Sequence, residues 1–337
     1  MTFNVTIQPS GHQFRIEKDE TVLDAALNHG YILPYSCREG VCGVCMGKVL
    51  EGRVDYGKHL DSTLSDAEKA AGMALFCCAK PRSDLVIECQ EVGRAGDIPV
   101  RTMPCRVEKM EKAVDDVMVL TLKLPANEHL RFLAGQYISI LLKDQKPRSF
   151  SLASPPHENG YLTLHIRRIP GGLFTEHVFT EMKVRDILRF KGPLGTFFLR
   201  EDSNKPAIFV AGGTGFAPVK SMIEHALHIG LKRPMHFYWG GRKLADLYML
   251  ETARRWERRG IKFTPVLSAP LPGDRWQGRV GQAYQAVLED YSDLSGYEVY
   301  ACGAPMMVQA AHREYTGRHG LPEQAFFSDM FTFAAKS

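Results

Sequence analysis

Apolar positions along the chain change their period three times. Phe3, Val5 and Ile7 alternate with polar neighbours, and Phe14 and Ile16 repeat the alternation beyond Ser10-Gly11, which predicts a β-hairpin. Val22 to Leu27 then takes a helical spacing behind Thr21, a residue type that caps helices by accepting from the backbone, and this helix should end near Gly30. A strand through Lys48-Val49-Leu50 and a helix starting near Ser65, with Asp66 and Glu68 at its positive end, complete a small α+β unit. Glu91 to Pro99 is Gly, Pro and charge without period and reads as a linker. From about residue 102, short strands at Val117–Leu122, Tyr137–Leu141 and Tyr161–Ile166 predict a small antiparallel barrel. After Pro206 the strands become fully apolar (Ala207–Ala211, His236–Trp239, Phe263–Leu267, Glu298–Ala301) and alternate with helical stretches, the pattern of a parallel α/β sheet buried on both faces. The expected domains are 1–93, 101–201 and 205–337.

A length of 337 residues suits two or three cores, and 45% hydrophobic with 24% charged residues is the balance of a globular protein. No apolar run approaches the length of a membrane span, and Met1-Thr2-Phe3-Asn4-Val5 lacks a signal-peptide pattern, so neither membrane nor export is expected. Eight cysteines without such a signal point to a reducing, cytoplasmic setting in which thiols serve metals or packing. The net charge of +4 comes with no stretch of cations interleaved with aromatics, so nucleic acid is not an expected partner. Residues 1–95 hold 10 Lys and Arg against 13 Asp and Glu, while the rest of the chain is net positive. That asymmetry suits a polar face for a transient protein partner, or simply a solvated surface.

The chemistry is concentrated in Ser36-Cys37-Arg38-Glu39-Gly40-Val41-Cys42-Gly43-Val44-Cys45. Three thiols spaced C-x4-C-x2-C, with Cys77 as a fourth beyond a segment long enough to fold back, form the plant-type [2Fe-2S] ligand spacing. The glycines let backbone N–H groups approach the sulfurs. Structural zinc favours paired C-x2-C units and disulfides belong to small secreted domains, and only one C-x2-C is present here. Cys78, Cys89 and Cys105 read as small buried packing residues.

Arg148-Ser149-Phe150-Ser151-Leu152, at the start of an expected barrel strand, joins a cation, a ring and hydroxyls. Arg148 suits a pyrophosphate, Phe150 a flavin ring or ribityl chain, and Ser151 a hydrogen bond near the reactive nitrogen. Gly171-Gly172-Leu173-Phe174-Thr175 opens a helix whose free N–H groups could take a phosphate, although Thr175 could instead cap that helix. His165 and Arg167 complete the flavin set. Gly212-Gly213-Thr214-Gly215 follows an apolar strand and precedes a helix expected to begin near Pro218, which suits a dinucleotide pyrophosphate. Cys302 and Gly303 stand at another strand end on the same sheet edge. Coenzyme choice should be set at Gly240 to Asp246, where Arg242 or Lys243 could receive a 2′-phosphate and Asp246 could accept from ribose hydroxyls; NAD(P)H is expected, with a slight lean to NADH.

The Arg-x-Phe-Ser motif followed by the Gly-rich helix start resembles the FAD-binding barrel of the ferredoxin-NADP⁺ reductase superfamily, and the first segment resembles a β-grasp ferredoxin. The whole chain resembles three-module electron-transfer reductases of bacterial oxygenases and of deoxysugar biosynthesis. Leu133 to Ile138, Gly212 to Met222 and Val299 to Gly303 are similar to those of CDP-6-deoxy-3,4-glucoseen reductases. The resemblance implies FAD rather than FMN, puts Cys302 and Gly303 beside the nicotinamide, and makes Ser151 and Cys302 the residues that assist alignment of nicotinamide on flavin. Phe150 departs from the more frequent Tyr, so ring packing is expected without a hydroxyl contact. Phe326 to Phe333 resembles an aromatic tail with Phe331 against the flavin, or reads simply as a terminal strand. Electrons should then pass from NAD(P)H through FAD to [2Fe-2S] and on to an acceptor protein, either a dehydrase or an oxygenase component, with Arg38 to Val41 as a docking rim. A redox carrier or sensor without turnover would leave the flavin and nucleotide motifs without a use.

Overall fold

The computed structural model describes residues 1–94, 98–142 and 147–331. The chain forms two compact units, Met1–Pro99 and Val100–Phe331. In the first, strands run in the order Gln13–Glu17, Thr2–Gln8, Leu85–Glu88, Met46–Glu51, Met73–Leu75. The expected hairpin pairs antiparallel, with Val5 opposite Phe14, and the central strand Leu85–Glu88 joins Thr2–Gln8 in parallel. Helix α1 (Val22–Asn28) is capped by Thr21, whose side chain accepts from the Asp24 N–H. It lays Val22, Leu23, Ala25 and Ala26 on the sheet, where all four are fully buried. Helix α2 (Asp66–Ala70) carries a complete capping box between Ser65 and Glu68, worth about 1 kcal/mol to a short helix. Helix and sheet give the β-grasp arrangement that the sequence pattern implied.

The second unit holds two sheets. The first is antiparallel, in the order Arg148–Ser151, Tyr137–Ile140, Ile187–Leu194, Arg101–Val114, Val117–Lys123, Tyr161–Arg167. Its two outer strands meet: Leu152 bridges Leu164, and the Ala153 N–H donates to the Thr163 carbonyl at 2.8 Å, which closes the sheet into a barrel. Inward residues such as Val107, Leu120, Ile138, Leu164 and Phe190 fill it. Helix α3 (Leu173–Thr180) lies in the chain between strands Tyr161–Arg167 and Ile187–Leu194.

The second sheet is all parallel, ordered Arg279–Val280, Lys262–Leu267, Met235–Gly241, Ala207–Gly212, Glu298–Gly303, Phe326–Met330. Helices α4 (Phe216–Ile229), α5 (Leu250–Glu257), α6 (Ala283–Asp290) and α7 (Pro305–Arg318) cover it. Strand Ala207–Gly212 has later strands on both sides, so the order reverses there and opens a crevice beyond the carboxyl ends. No helix among the described residues is long and apolar enough to cross a membrane.

Two expectations shift. Helix α4 starts at Phe216, not near Pro218, because Gly213–Gly215 winds a 3₁₀ turn that feeds straight into it. Pro218 then sits in the first turn, where no N–H is needed. The chain from Phe326 to Met330 is an edge strand of the sheet, which favours the terminal-strand reading over a free aromatic tail; Thr332 and Phe333 lie outside the described residues. Residues 95–97 of the linker also lie outside them.

Two buried histidines make the fold sensitive to acid. His236, on the sheet, bonds Tyr291 Oη at 2.9 Å and Thr264 Oγ1 at 2.8 Å, and burial holds its pKa down to about 3. His165 in the barrel is likewise pushed to about 3, chiefly by burial. Unfolded imidazoles protonate near pH 6.5, so the unfolded chain binds more protons below that pH. The stability these groups contribute is therefore complete above about 6.5 and is lost as pH falls toward 3, at up to about 1.4 kcal/mol per group and pH unit. The melting temperature should drop between about pH 7.5 and pH 5.5, and His236→Gln should flatten part of that slope; a level curve for the parent protein would remove this account.

Candidate functional site

The thiol loop joins the first unit's helical layer to strand Met46–Glu51. Arg38, Gly40 and Gly43 all take positive φ there, at 60°, 70° and 79°. Gly40 is needed twice over, since a Cβ would also lie 2.7 Å from the Lys58 carbonyl and 2.8 Å from Cys78 Sγ. This packing buries Gly40, which removes it from the expected docking rim. Arg38 is engaged by Asp24 and lies over the Tyr35 ring, and Glu39 is the exposed residue of that rim.

The tight loop turns backbone N–H groups onto sulfur. Glu39 N–H reaches Cys37 Sγ at 3.4 Å, joined by the amides of Val41 and Cys42, while the Gly40 amide serves Cys77 and that of Val44 serves Cys42. The four thiols fall into two pairs, Cys37 with Cys42 and Cys45 with Cys77. The Cys42 side chain, followed by these amides against the cost of burial, lowers Cys37 to about 7; Cys45 does the same for Cys77, to about 3. Cys42 and Cys45 are pushed well up by those partners and by burial. Among the described residues no three ligands are placed to hold a single metal ion. Two thiol pairs under convergent amides instead fit a two-iron centre with two sulfurs to each iron. Cys78 departs from expectation: it is half-buried, with its Sγ 3.5 Å from Cys77 Sγ, whereas Cys89 and Cys105 are buried as expected.

In the second unit, most of the remaining candidates converge at the crevice. Gly215 and Gly303 bring two backbones together, because a Cβ on Gly215 would stand 2.5 Å from the Cys302 carbonyl and one on Gly303 would stand 3.0 Å from the Gly212 carbonyl. Cys302 is fully buried and its thiol donates to the Gly215 carbonyl at 2.9 Å; burial, then the Asp329 carboxylate, hold it protonated. Thr214 is half-buried between the glycines. Ser151 ends its barrel strand buried, and its hydroxyl donates to Asp329 Oδ2 at 3.1 Å. Asp329 in turn lies opposite Cys302 in the parallel register. The Phe331 N–H donates to the Gly303 carbonyl at 2.9 Å, and its ring is half-buried.

His165 and Arg167 sit on the barrel strand that faces the glycine turn. His165 Nδ1 is 2.9 Å from Tyr248 Oη, and its Nε2 is buried with no partner among the described residues. Arg167 Nη2 is a second such orphan, 3.6 Å from where a Cβ on Gly213 would be. Orphaned buried donors of this kind fit a site built for polar ligands.

A separate wing carries Arg148, Phe150, Gly171, Gly172 and Thr175. Phe150 is half-buried and tilted against Phe174 at 5.3 Å, and Arg148 is partly exposed at the head of its strand. Gly172 caps α3 with no side-chain hydrogen bond, which leaves first-turn N–H groups for an anion. Thr175 does not cap that helix: its Oγ1 accepts from the Ile169 N–H at 3.2 Å and fastens the preceding loop. At the coenzyme loop Arg242 and Lys243 are exposed, but Asp246 is buried and accepts from the Arg242 and Lys243 N–H groups at 2.8 and 3.2 Å. Its carboxylate is thereby committed to the turn, which corrects the ribose role expected of it.

Asp329, Tyr248 and Asp116 were overlooked by sequence reasoning. Asp329 left one usable trace, a lone carboxylate inside an otherwise apolar and aromatic strand. Tyr248 and Asp116 left none, since their partners are remote in sequence.

Family models match along the chain in order: a 2Fe-2S iron-sulfur cluster binding domain over residues 5–82, an oxidoreductase FAD-binding domain over 104–199 and an oxidoreductase NAD-binding domain over 209–313. The CDP-6-deoxy-L-threo-D-glycero-4-hexulose-3-dehydrase reductase of Yersinia pseudotuberculosis is 40% identical over 333 residues, covering 98% of this chain and 99% of its own. Terephthalate 1,2-dioxygenase reductase component 1 of Comamonas is 34% identical, with 98% of each chain covered. Among solved structures, the cytochrome P450 reductase GcoB of Amycolatopsis is 33% identical with a TM-score of 0.79, covering 99% of this chain and 100% of that one.

The two neighbouring thiols make a test. Cys77→Ser should lose at least half of the bound iron and the visible absorption of the cluster, whereas Cys78→Ser should keep both near the parental level; equal losses in the two variants would reject the pairing of Cys77 with Cys45 as ligands.

Proposed function

The chain belongs to the iron-sulfur flavoprotein reductases, and from that membership we propose that it oxidises NADH and passes electrons to a dehydrase acting on a CDP-6-deoxyhexulose. The observation that carries this reading is the chain-long 40% identity with the Yersinia reductase of that name. A second reading, reductase of an oxygenase, is supported by the 34% and 33% likenesses to the Comamonas and Amycolatopsis proteins. Eight cysteines, all without disulfide partners, suit a reducing compartment such as the cytoplasm.

When bound, FAD supplies the change from hydride to single-electron transfer, and the cluster carries single electrons outward. Cys37, Cys42, Cys45 and Cys77 are the assigned cluster ligands. Arg148, Phe150, Gly171, Gly172, Thr175, His165 and Arg167 are assigned to FAD or to its border with the coenzyme. Gly212 to Gly215, Arg242 and Gly303 are assigned to NAD(P)H.

Ser151 gives its own proton to Asp329, so its lone pairs are what it presents, and it serves as a fixed acceptor for an N–H brought against it. Cys302, protonated and bonded to Gly215, acts as a small neutral floor that holds the glycine turn in place. Neither residue moves a proton to substrate, and their contribution is alignment. At the coenzyme loop, exposed Arg242 and Lys243 supply affinity for NADPH beside the working donor NADH.

Anaerobic titration with NADH and then NADPH, followed by visible absorption and electron spin resonance, tests donor, flavin and cluster together. Bleaching of the flavin followed by a reduced-cluster signal is expected, and purified protein that holds no flavin or responds to neither coenzyme rejects the reading. Ser151→Ala should slow flavin reduction about 10-fold, the value of one well-placed hydrogen bond. Arg242→Glu should lower NADPH turnover at least 10-fold while NADH turnover stays within about 3-fold, a charge effect confined to the extra phosphate.

A further inference from the structure

The turn after strand Met235–Gly241 is built around one inward carboxylate. Asp246 is 8% exposed; Oδ2 takes the Arg242 and Lys243 N–H groups, and Oδ1 stands 3.6 Å from Arg167 Nη1. Arg167 comes from the barrel, and the same Nη1 donates to Asp116 Oδ2 at 2.5 Å. Two carboxylates thus fix one guanidinium, and the N–H groups of its orphaned Nη2 are left beside Gly213 at the start of the turn that leads into α4. Leu244 is tied down separately, its N–H donating to Asp274 Oδ2 at 3.1 Å, and the Arg242 carbonyl accepts from the Ala269 N–H at 2.9 Å, whereas the Arg242 and Lys243 N–H groups are taken by Asp246.

We propose that Asp246 is a positioning residue for the nicotinamide coenzyme: it ties the Arg242–Lys243 turn to Arg167, and so presets the loop and the cation that flank the phosphate-bearing stretch of the nucleotide. The inference rests on the reading that the nucleotide binds over Gly212 to Gly215. The turn and the cation, which would otherwise have to be ordered by the ligand, are ordered in advance, which lowers the entropic cost of binding. Asp246 touches no reacting atom, so its loss weakens binding and leaves the chemical step alone.

The test uses the full-length protein with flavin and iron bound, as Asp246→Ala and Asp246→Asn. Affinity for NAD⁺ and for ADP-ribose is measured by titration calorimetry, and the limiting rate and half-saturation of flavin reduction by NADH in stopped flow. Alanine should weaken NAD⁺ and ADP-ribose binding at least 10-fold, with the limiting rate within about 3-fold of the parent. Asparagine keeps an oxygen for the two N–H groups but no charge for Arg167, and should fall between. In an Arg167→Ala background the asparagine change should add almost nothing, a non-additivity that a merely structural aspartate would not give. Should the alanine variant fail to retain flavin, the asparagine variant and the double variant decide. Parental affinity in the variants, a loss confined to the limiting rate, or full additivity with Arg167→Ala overturns the inference. A parent protein that binds neither NAD⁺ nor ADP-ribose rejects instead the nucleotide site on which it rests.

Discussion

The second unit depends on a close approach of two backbones at the point where the parallel sheet reverses its order. A Cβ on Gly215 would collide with the Cys302 carbonyl, and one on Gly303 would crowd the Gly212 carbonyl in a backbone conformation that side chains rarely adopt. From that contact the rest follows in sequence. The glycine turn is short enough to wind directly into α4, α4 lies close enough to the barrel for the Ser221 hydroxyl to donate to the Ser154 carbonyl at 2.8 Å, and Lys220 Nζ reaches the Ala153 carbonyl at 3.2 Å. Barrel and sheet are also joined by Ser151 to Asp329, by the Arg200 N–H donating to Tyr300 Oη at 3.1 Å, and by Ala134, Phe197 and Leu199 packed into the sheet's core.

The two halves of the chemistry use opposite electrostatics. The thiol loop favours negative charge on Cys37 and Cys77, chiefly through the neighbouring thiols Cys42 and Cys45 and then through the backbone N–H groups gathered onto sulfur. The crevice is lined by groups that burial keeps neutral: His165 is pushed down to about 3 and the Cys302 thiol is pushed up. Arg167 brings charge to the crevice already compensated by Asp116 and Asp246. A site of that kind suits alignment of two planar ring systems better than general acid and base catalysis, whose groups must sit near neutral pKa values.

Much of this was legible in the sequence because its signals are local. Alternation fixed the hairpin, the barrel strands Val117–Leu122 and Tyr161–Ile166 and the apolar parallel strands, and Thr21 and Ser65 marked helix starts that the structure retains. Cysteine spacing and glycine clusters were equally visible, since each encodes a short-range geometric need. What could not be seen were the pairings across the fold. Asp246 has the look of a ribose acceptor at its position, and only its burial and the direction of its oxygens reveal that the turn consumes it. Thr175 looked like a cap, yet its hydroxyl faces back to Ile169. Asp329 acquires meaning only when Ser151, 178 residues away, is brought to it. Periodicity also misjudged the start of α4, because a 3₁₀ turn leaves no hydrophobic signature of its own.

Of the chain's three tryptophans, Trp239 and Trp256 belong to the core of the parallel sheet and Trp276 packs against it, and Trp239 Nε1 donates to the carbonyl of Gly213 at 2.9 Å while its ring stacks on Phe216 at 4.2 Å. Indole emission from this protein therefore speaks for one region alone: the β-grasp unit and the barrel are silent in it, and an unfolding curve followed by that light is the curve of the parallel-sheet region. The same arrangement places one fully buried chromophore in direct hydrogen-bond contact with the glycine turn, a spectroscopic handle on its geometry supplied by the native sequence.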